Sequence, residues 1–187
     1  MKIIRVFPRQ TKATPNDEYS FIGDPGLFVP KADEIHVSCT FTADLPEAER
    51  LATSWARYSV PVKIGGPATG EAGGDFVPGK FLKFGYVITS RGCPNRCWFC
   101  SVWRREGEKI RELPITEGWN LLDDNILATR PEHRTAVFSM LKASSKKYKQ
   151  RIEFTGGLEA ARMTPEIAAE LKELHPKQLF FAYDTPD

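Results

Sequence analysis

The chain has 187 residues, 41% of them hydrophobic and 27% charged, a balance that excludes disordered and fibrous classes. With 26 basic against 24 acidic residues the net charge is +2, so no whole-molecule field draws it to nucleic acid or to an anionic membrane. No run reaches the ~20 continuous apolar residues of a membrane helix. The opening MKIIRVFPRQ lacks a signal-peptide apolar block, so a cytoplasmic protein without a membrane partner is expected.

The first element is the β-rich run KIIRVF, followed by a Pro/Gly/Asp-rich stretch from Pro8 to Pro30 that reads as loop. In EIHVSCTF (34–41) Ile35, Val37 and Cys39 alternate with polar neighbours, the period of a strand. Asp44 and Glu47 form a D-x-x-E helix start, and Leu45, Ala48, Leu51, Ala52 and Trp55 recur at helical spacing to about Tyr58. The run VPVKIGG from Val60 reads as another strand and closes a β-α-β unit. Residues 68–80 are poor in apolar side chains and read as a linker. The expected division is a Rossmann-like domain with its linker at 1–80 and a β/α core at 81–187.

In the second part FGYVIT (84–89) is a strand that runs into a cysteine loop, and WNLLDDNIL reads as a strand with its turn. Pro131 opens a helix with Ala136, Val137, Met140 and Leu141 as its apolar stripe. Residues 151–155 form a strand ending in Gly156-Gly157. Thr164-Pro165 opens a helix carrying Ile167, Ala168, Leu171 and Leu174, and QLFFAY (178–183) is the last strand. Alternating strands and helices imply an α/β fold with parallel strands, whose functional loops lie at the strands' carboxyl ends. The cysteine loop and Gly156-Gly157 both satisfy that rule.

Cys93, Cys97 and Cys100 fall in ITSRGCPNRCWFCSV as C-x3-C-x2-C, with Cys39 far upstream. Three close thiols in a reducing compartment point to a metal or redox centre rather than disulfides. They suit a [4Fe–4S] cube with three irons held by protein and the fourth left open to a ligand. Zinc completed by a distant histidine or by Cys39 is the alternative. Trp98 and Phe99 are placed to shield a cube from water. His133 and His175 read as surface residues near helix ends, and Cys39 as a small core residue.

The pattern C-x3-C-x-aromatic-C on a loop after the first strand of a parallel α/β core resembles the radical S-adenosylmethionine superfamily. That resemblance implies that Cys93, Cys97 and Cys100 hold a [4Fe–4S] cluster and that S-adenosyl-L-methionine chelates its open iron. It implies one-electron cleavage to a 5′-deoxyadenosyl radical and hydrogen abstraction from a substrate that the sequence does not name. Phe99 would lie near the adenine. A family Gly-Gly-Glu at the end of the second barrel strand is matched by Gly156-Gly157-Leu158-Glu159, where Leu158 is an insertion, so the two glycines are carried over and Glu159 is not assigned. The upstream unit ending KIGGPA is similar to the amino-terminal domain of cobalamin-dependent members, but their Asp-x-His-x-x-Gly motif is absent and no cobalamin is expected.

At ~30 residues per β/α unit, about three units fit after the linker, fewer than the family's full barrel. A fragment, or a half barrel completed by a second chain or by self-association, is therefore expected. Arg91, Arg96, Arg104, Arg105, Lys109 and Arg111 surround the cysteines, partly offset by Glu106 and Glu108. They read as a solvated face, a dock for an acidic electron donor such as flavodoxin or ferredoxin, or a nucleic-acid contact. Asp184 follows the last strand as an unassigned acidic residue. The functions carried forward are a radical S-adenosylmethionine enzyme, a zinc-stabilised nucleic-acid-binding module, and a catalytically inactive cluster-binding remnant.

Overall fold

The computed structural model describes residues 1–182. Asp184, and Tyr183 of the last expected strand, lie outside them. The described chain is α/β with parallel sheets and four α-helices, the class read from the sequence. It divides into two compact units, Met1–Gly73 with Lys80–Lys83, and Gly74–Gly79 with the chain from Phe84 onward.

The first unit is a four-stranded parallel sheet of β1 (Ile3–Phe7), β2 (Ser20–Ile22), β3 (Glu34–Ser38) and β4 (Val62–Gly65), in the order β2-β1-β3-β4. Helix α1 (Leu45–Trp55) supplies Ala48, Leu51 and Trp55 to a core that includes Ile4, Val6, Ile35, Val37 and Cys39. β2 lies inside the stretch expected to be loop. Its three residues carry too little pattern to announce a strand, and pairing with β1 makes it one. The expected capping box does not form: Asp44 at the helix start makes no cap hydrogen bond and pairs with Arg9, while Glu47 pairs with Arg50. Cys39 is fully buried, as a core residue should be, and its Sγ donates to the Phe41 carbonyl at 3.3 Å.

In the second unit β5 (Tyr86–Val87), β8 (Asn120–Leu121) and β9 (Glu153–Phe154) form a parallel sheet in the order β5-β8-β9. Between β5 and β8 the chain makes the antiparallel pair β6 (Ser90–Arg91) and β7 (Arg111–Glu112), joined through the short helix α2 (Val102–Arg105). Helix α3 (Pro131–Tyr148) precedes β9. The strand β10 (Leu158–Glu159), the helix α4 (Pro165–Glu173) and the strand β11 (Phe181–Ala182) follow, with β10 and β11 paired in parallel.

Val87, Leu121 and Phe154 stand in register across the three strands and pack with Val137, Phe138 and Leu141 of α3 and Ile167 and Leu171 of α4. Each such side chain contributes about 1.5–3 kcal/mol when buried. The sequence stripe is corrected at two places, since Ala136 and Ala168 are exposed while Phe138 is buried. Tyr86, Asn120 and Glu153 occupy the alternate register and form a polar row on the other sheet face. Asn120 bonds Glu153 at 3.3 Å and accepts from Thr155 at 2.7 Å. Thr164 caps α4 as expected, its Oγ1 accepting from Ile167 N at 3.3 Å.

Candidate metal centre

The cysteine loop is the connection between β6 and β7, at the carboxyl end of β5. Its base is drawn tight where Cys93 N donates to the Gly107 carbonyl at 3.2 Å. Gly92, at φ +93°, is required there, because a Cβ would lie 2.5 Å from the Lys109 carbonyl oxygen. Further along, Cys100 N donates to the Cys97 carbonyl at 3.1 Å, and the Trp103 indole N–H donates to the same carbonyl at 3.0 Å. Cys93, Cys97 and Cys100 are not in disulfides, and each is half-buried.

Three consecutive residues after β8 hold this loop, and the sequence reading passed them over. Buried Asp123 accepts from Thr89 N at 2.6 Å, Thr89 Oγ1 at 2.7 Å and Ser90 Oγ at 2.6 Å. Burial pushes its carboxyl up against those donors. Asp124 accepts from Gly92 N at 2.9 Å, and burial likewise raises its carboxyl. Asn125, 4% exposed, donates through Nδ2 to Cys93 Sγ at 3.5 Å and to Glu159 Oε2 at 2.7 Å. The signal available in the sequence was the polar run Asp123-Asp124-Asn125 directly after a strand.

Glu159 therefore belongs to this constellation. It also receives Arg162 Nε at 2.6 Å and a hydrogen bond from Asn95 of the cysteine loop. Burial works to raise its carboxyl, and the bonds from Asn125, Asn95 and Arg162 together outweigh that and hold it below the usual range.

Gly156 and Gly157 follow β9, the third strand of the sheet; the expectation that they close the second strand is corrected, because residues 120–121 form a strand of their own between them and β5. The two glycines differ. A Cβ on Gly156 would strike the Asp123 backbone, whereas one on Gly157 would meet nothing within 4 Å. Packing explains the first and leaves open space at the second.

Trp98 and Phe99 are 78% and 56% exposed and stack edge to face on each other, with ring centroids 5.5 Å apart. Both rings stand largely in solvent. The basic cluster is also redistributed. Glu106, whose side chain is 1% exposed, holds Arg111 at 2.7 Å, Arg105 at 3.0 Å and Arg91 at 3.5 Å, while Arg96 pairs with Glu108 at 2.8 Å. Arg104 lies over the Trp103 ring at 4.6 Å. His133 is not a surface residue: its ring meets the Thr89 carbonyl at 3.0 Å and its side chain is 9% exposed.

Among the described residues no three His, Cys, Asp or Glu side chains converge as a metal-binding group. Metal ligation and the ordering of a site are coupled. The surroundings fit a cluster with an open iron in three respects. Three half-buried thiols share one anchored loop; Asn125 Oδ1 is buried without a hydrogen-bond partner and can accept from a bound cation; and a Cβ on Gly157 would meet nothing within 4 Å, so there is open space at that turn. No described helix is long and apolar enough to cross a membrane. In comparison with known proteins, no family model and no curated sequence matches the chain.

Proposed function

We propose that the chain is a radical S-adenosylmethionine iron–sulfur protein whose cluster ligands are Cys93, Cys97 and Cys100. The observation that carries this reading is a three-thiol loop at the carboxyl end of a parallel strand, braced by Asp123, Asp124 and Asn125. When bound there, a [4Fe–4S] cluster supplies the electron that cleaves the S-adenosyl-L-methionine sulfonium, which leads to hydrogen abstraction from a substrate.

The chain's own residues supply position and charge. Asp123 and Asp124 fix Thr89, Ser90 and Gly92 at the root of the loop. Gly157 and the unpartnered Asn125 Oδ1 offer room and an acceptor to the ammonium end of S-adenosyl-L-methionine. Phe99, on an exposed stretch of the same loop, is available to stack on adenine. In this reading the three parallel strands begin a β/α barrel, completed by a second chain or by self-association. The polar row Tyr86, Asn120 and Glu153 then faces its interior. An acidic electron donor such as flavodoxin or ferredoxin would meet the exposed Arg104 and Lys109 of the cysteine loop.

No observation favours the zinc-stabilised nucleic-acid module. His133 is held by Thr89, and Glu106 and Glu108 take up Arg91, Arg96, Arg105 and Arg111.

Anaerobic reconstitution with iron and sulfide tests the proposal. The expected result is a brown protein whose visible absorption is lost in the triple Cys→Ala variant. One tightly held zinc without colour would overturn it. Addition of dithionite and S-adenosyl-L-methionine should release 5′-deoxyadenosine, and a coloured protein that releases none is the inactive remnant.

A further inference from the structure

We propose that Asn125 is a positioning residue that ties the sulfur of Cys93 to the carboxylate of Glu159 and through this tie sets the reduction potential of the bound cluster. The inference rests on the cluster reading above.

Asn125 follows β8 and precedes the 3-10 turn at Ile126–Ala128, so its backbone sits between two fixed elements. The two hydrogens of its amide nitrogen serve two acceptors, Glu159 Oε2 at 2.7 Å and Cys93 Sγ at 3.5 Å. The amide's orientation follows from chemistry. An ionised carboxylate only accepts, and Glu159 is held ionised by Arg162 and Asn95 as well, so the nitrogen must face it. Flipping the amide would set Oδ1 against that carboxylate and take the donor away from the sulfur. Aspartate at this position would bring a second negative charge against both acceptors.

Adding an electron to a thiolate-ligated cluster adds negative charge that spreads onto its sulfurs. A donor aimed at one of those sulfurs stabilises the reduced form more than the oxidised form and so raises the potential. At 4% exposure Asn125 acts where water screens little. Because the same nitrogen holds Glu159, in the Gly156-Gly157-Leu158-Glu159 segment, a ligand that shifts this segment also shifts the donor on Cys93.

The test compares reconstituted wild type with Asn125→Leu, which keeps the branched side-chain shape and removes the donor. Iron and sulfide content should be unchanged. The midpoint from an EPR-monitored redox titration should move to more negative potential in the variant. Equal midpoints with equal iron content would overturn this inference and leave the cluster reading standing; a wild type that takes up no cluster would overturn both. Should the variant fail to fold or to hold iron, the wild type decides. With asparagine labelled by nitrogen-15 in its side-chain amide, pulsed EPR of the reduced cluster should show a nitrogen-15 coupling, and its absence would overturn the assignment.

Discussion

A Cβ on Gly156 would lie 2.3 Å from the backbone oxygen of Asp123 and 3.1 Å from its nitrogen, so the chain leaving β9 passes the chain leaving β8 at a distance that only hydrogen allows. Gly156 N also donates to the Leu121 carbonyl at 2.9 Å, which fixes that approach. The crossing keeps the segment bearing Glu159 against the residues that brace the cysteine loop. The neighbouring Gly157 meets no such obstacle, so the two glycines answer to different demands.

Gly156→Ala should therefore destabilise the protein by about 1–3 kcal/mol, the cost of forcing a methyl group into backbone that has to move. Gly157→Ala should stay within about 0.5 kcal/mol, as open surface positions do, while weakening S-adenosyl-L-methionine binding to the reconstituted protein. Denaturant midpoints of the two variants check this; equal losses would contradict the packing assignment.

Asp123→Ala leaves three donors, Thr89 N, Thr89 Oγ1 and Ser90 Oγ, without their acceptor in a buried place. The expected loss is on the order of 3 kcal/mol. Asp123→Asn keeps one accepting oxygen and should recover part of it. Urea unfolding of both variants decides, and indistinguishable stabilities would show that the carboxylate is not the anchor.

Glu106→Gln removes the buried carboxylate on which Arg91, Arg105 and Arg111 converge. The expected loss is about 1–3 kcal/mol, because Arg111 is partly in water and Asp124 also faces Arg91 and Arg105. Hydrogen exchange should quicken at the amide of Cys93, whose bond to the Gly107 carbonyl closes the loop near Glu106. Unchanged protection at that amide would separate the arginine cluster from loop order.

Hydrogen bonds from Arg50, and then Ser54, hold the Asp24 carboxyl at about 2, below its ordinary 3.8. The folded chain thus binds this proton less readily than the unfolded chain, and the stability from Asp24 is present above about pH 4 and lost as pH falls toward 2. The group is half exposed, so the effect is small. Wild type and Asp24→Asn should differ in urea midpoint at pH 6 and converge near pH 2, and a constant difference would refute the shift.

Local pattern made several features readable from the sequence. The alternation of Ile35, Val37 and Cys39 identifies a half-buried strand, the spacing of Ala48, Leu51 and Trp55 a helix face, and Thr164-Pro165 a capped helix start. The spacing of Cys93, Cys97 and Cys100 marked the candidate centre, because ligands on one loop are near one another in sequence. Contacts between distant segments had no such signature. The strand at Ser20–Ile22 forms because β1 offers an edge to pair with.

The convergence of Arg91, Arg105 and Arg111 on one buried carboxylate, Glu106, is a contact that composition cannot distinguish from a solvated face. Asn125 reads as an ordinary polar residue after a strand until the fold brings it, across more than thirty residues in each direction, to Cys93 and Glu159. Chemical identity and short-range periodicity are written along the chain. Which donor meets which acceptor is set by strand order and by the close approach of the chain leaving β9 to the chain leaving β8, and only tertiary packing decides that.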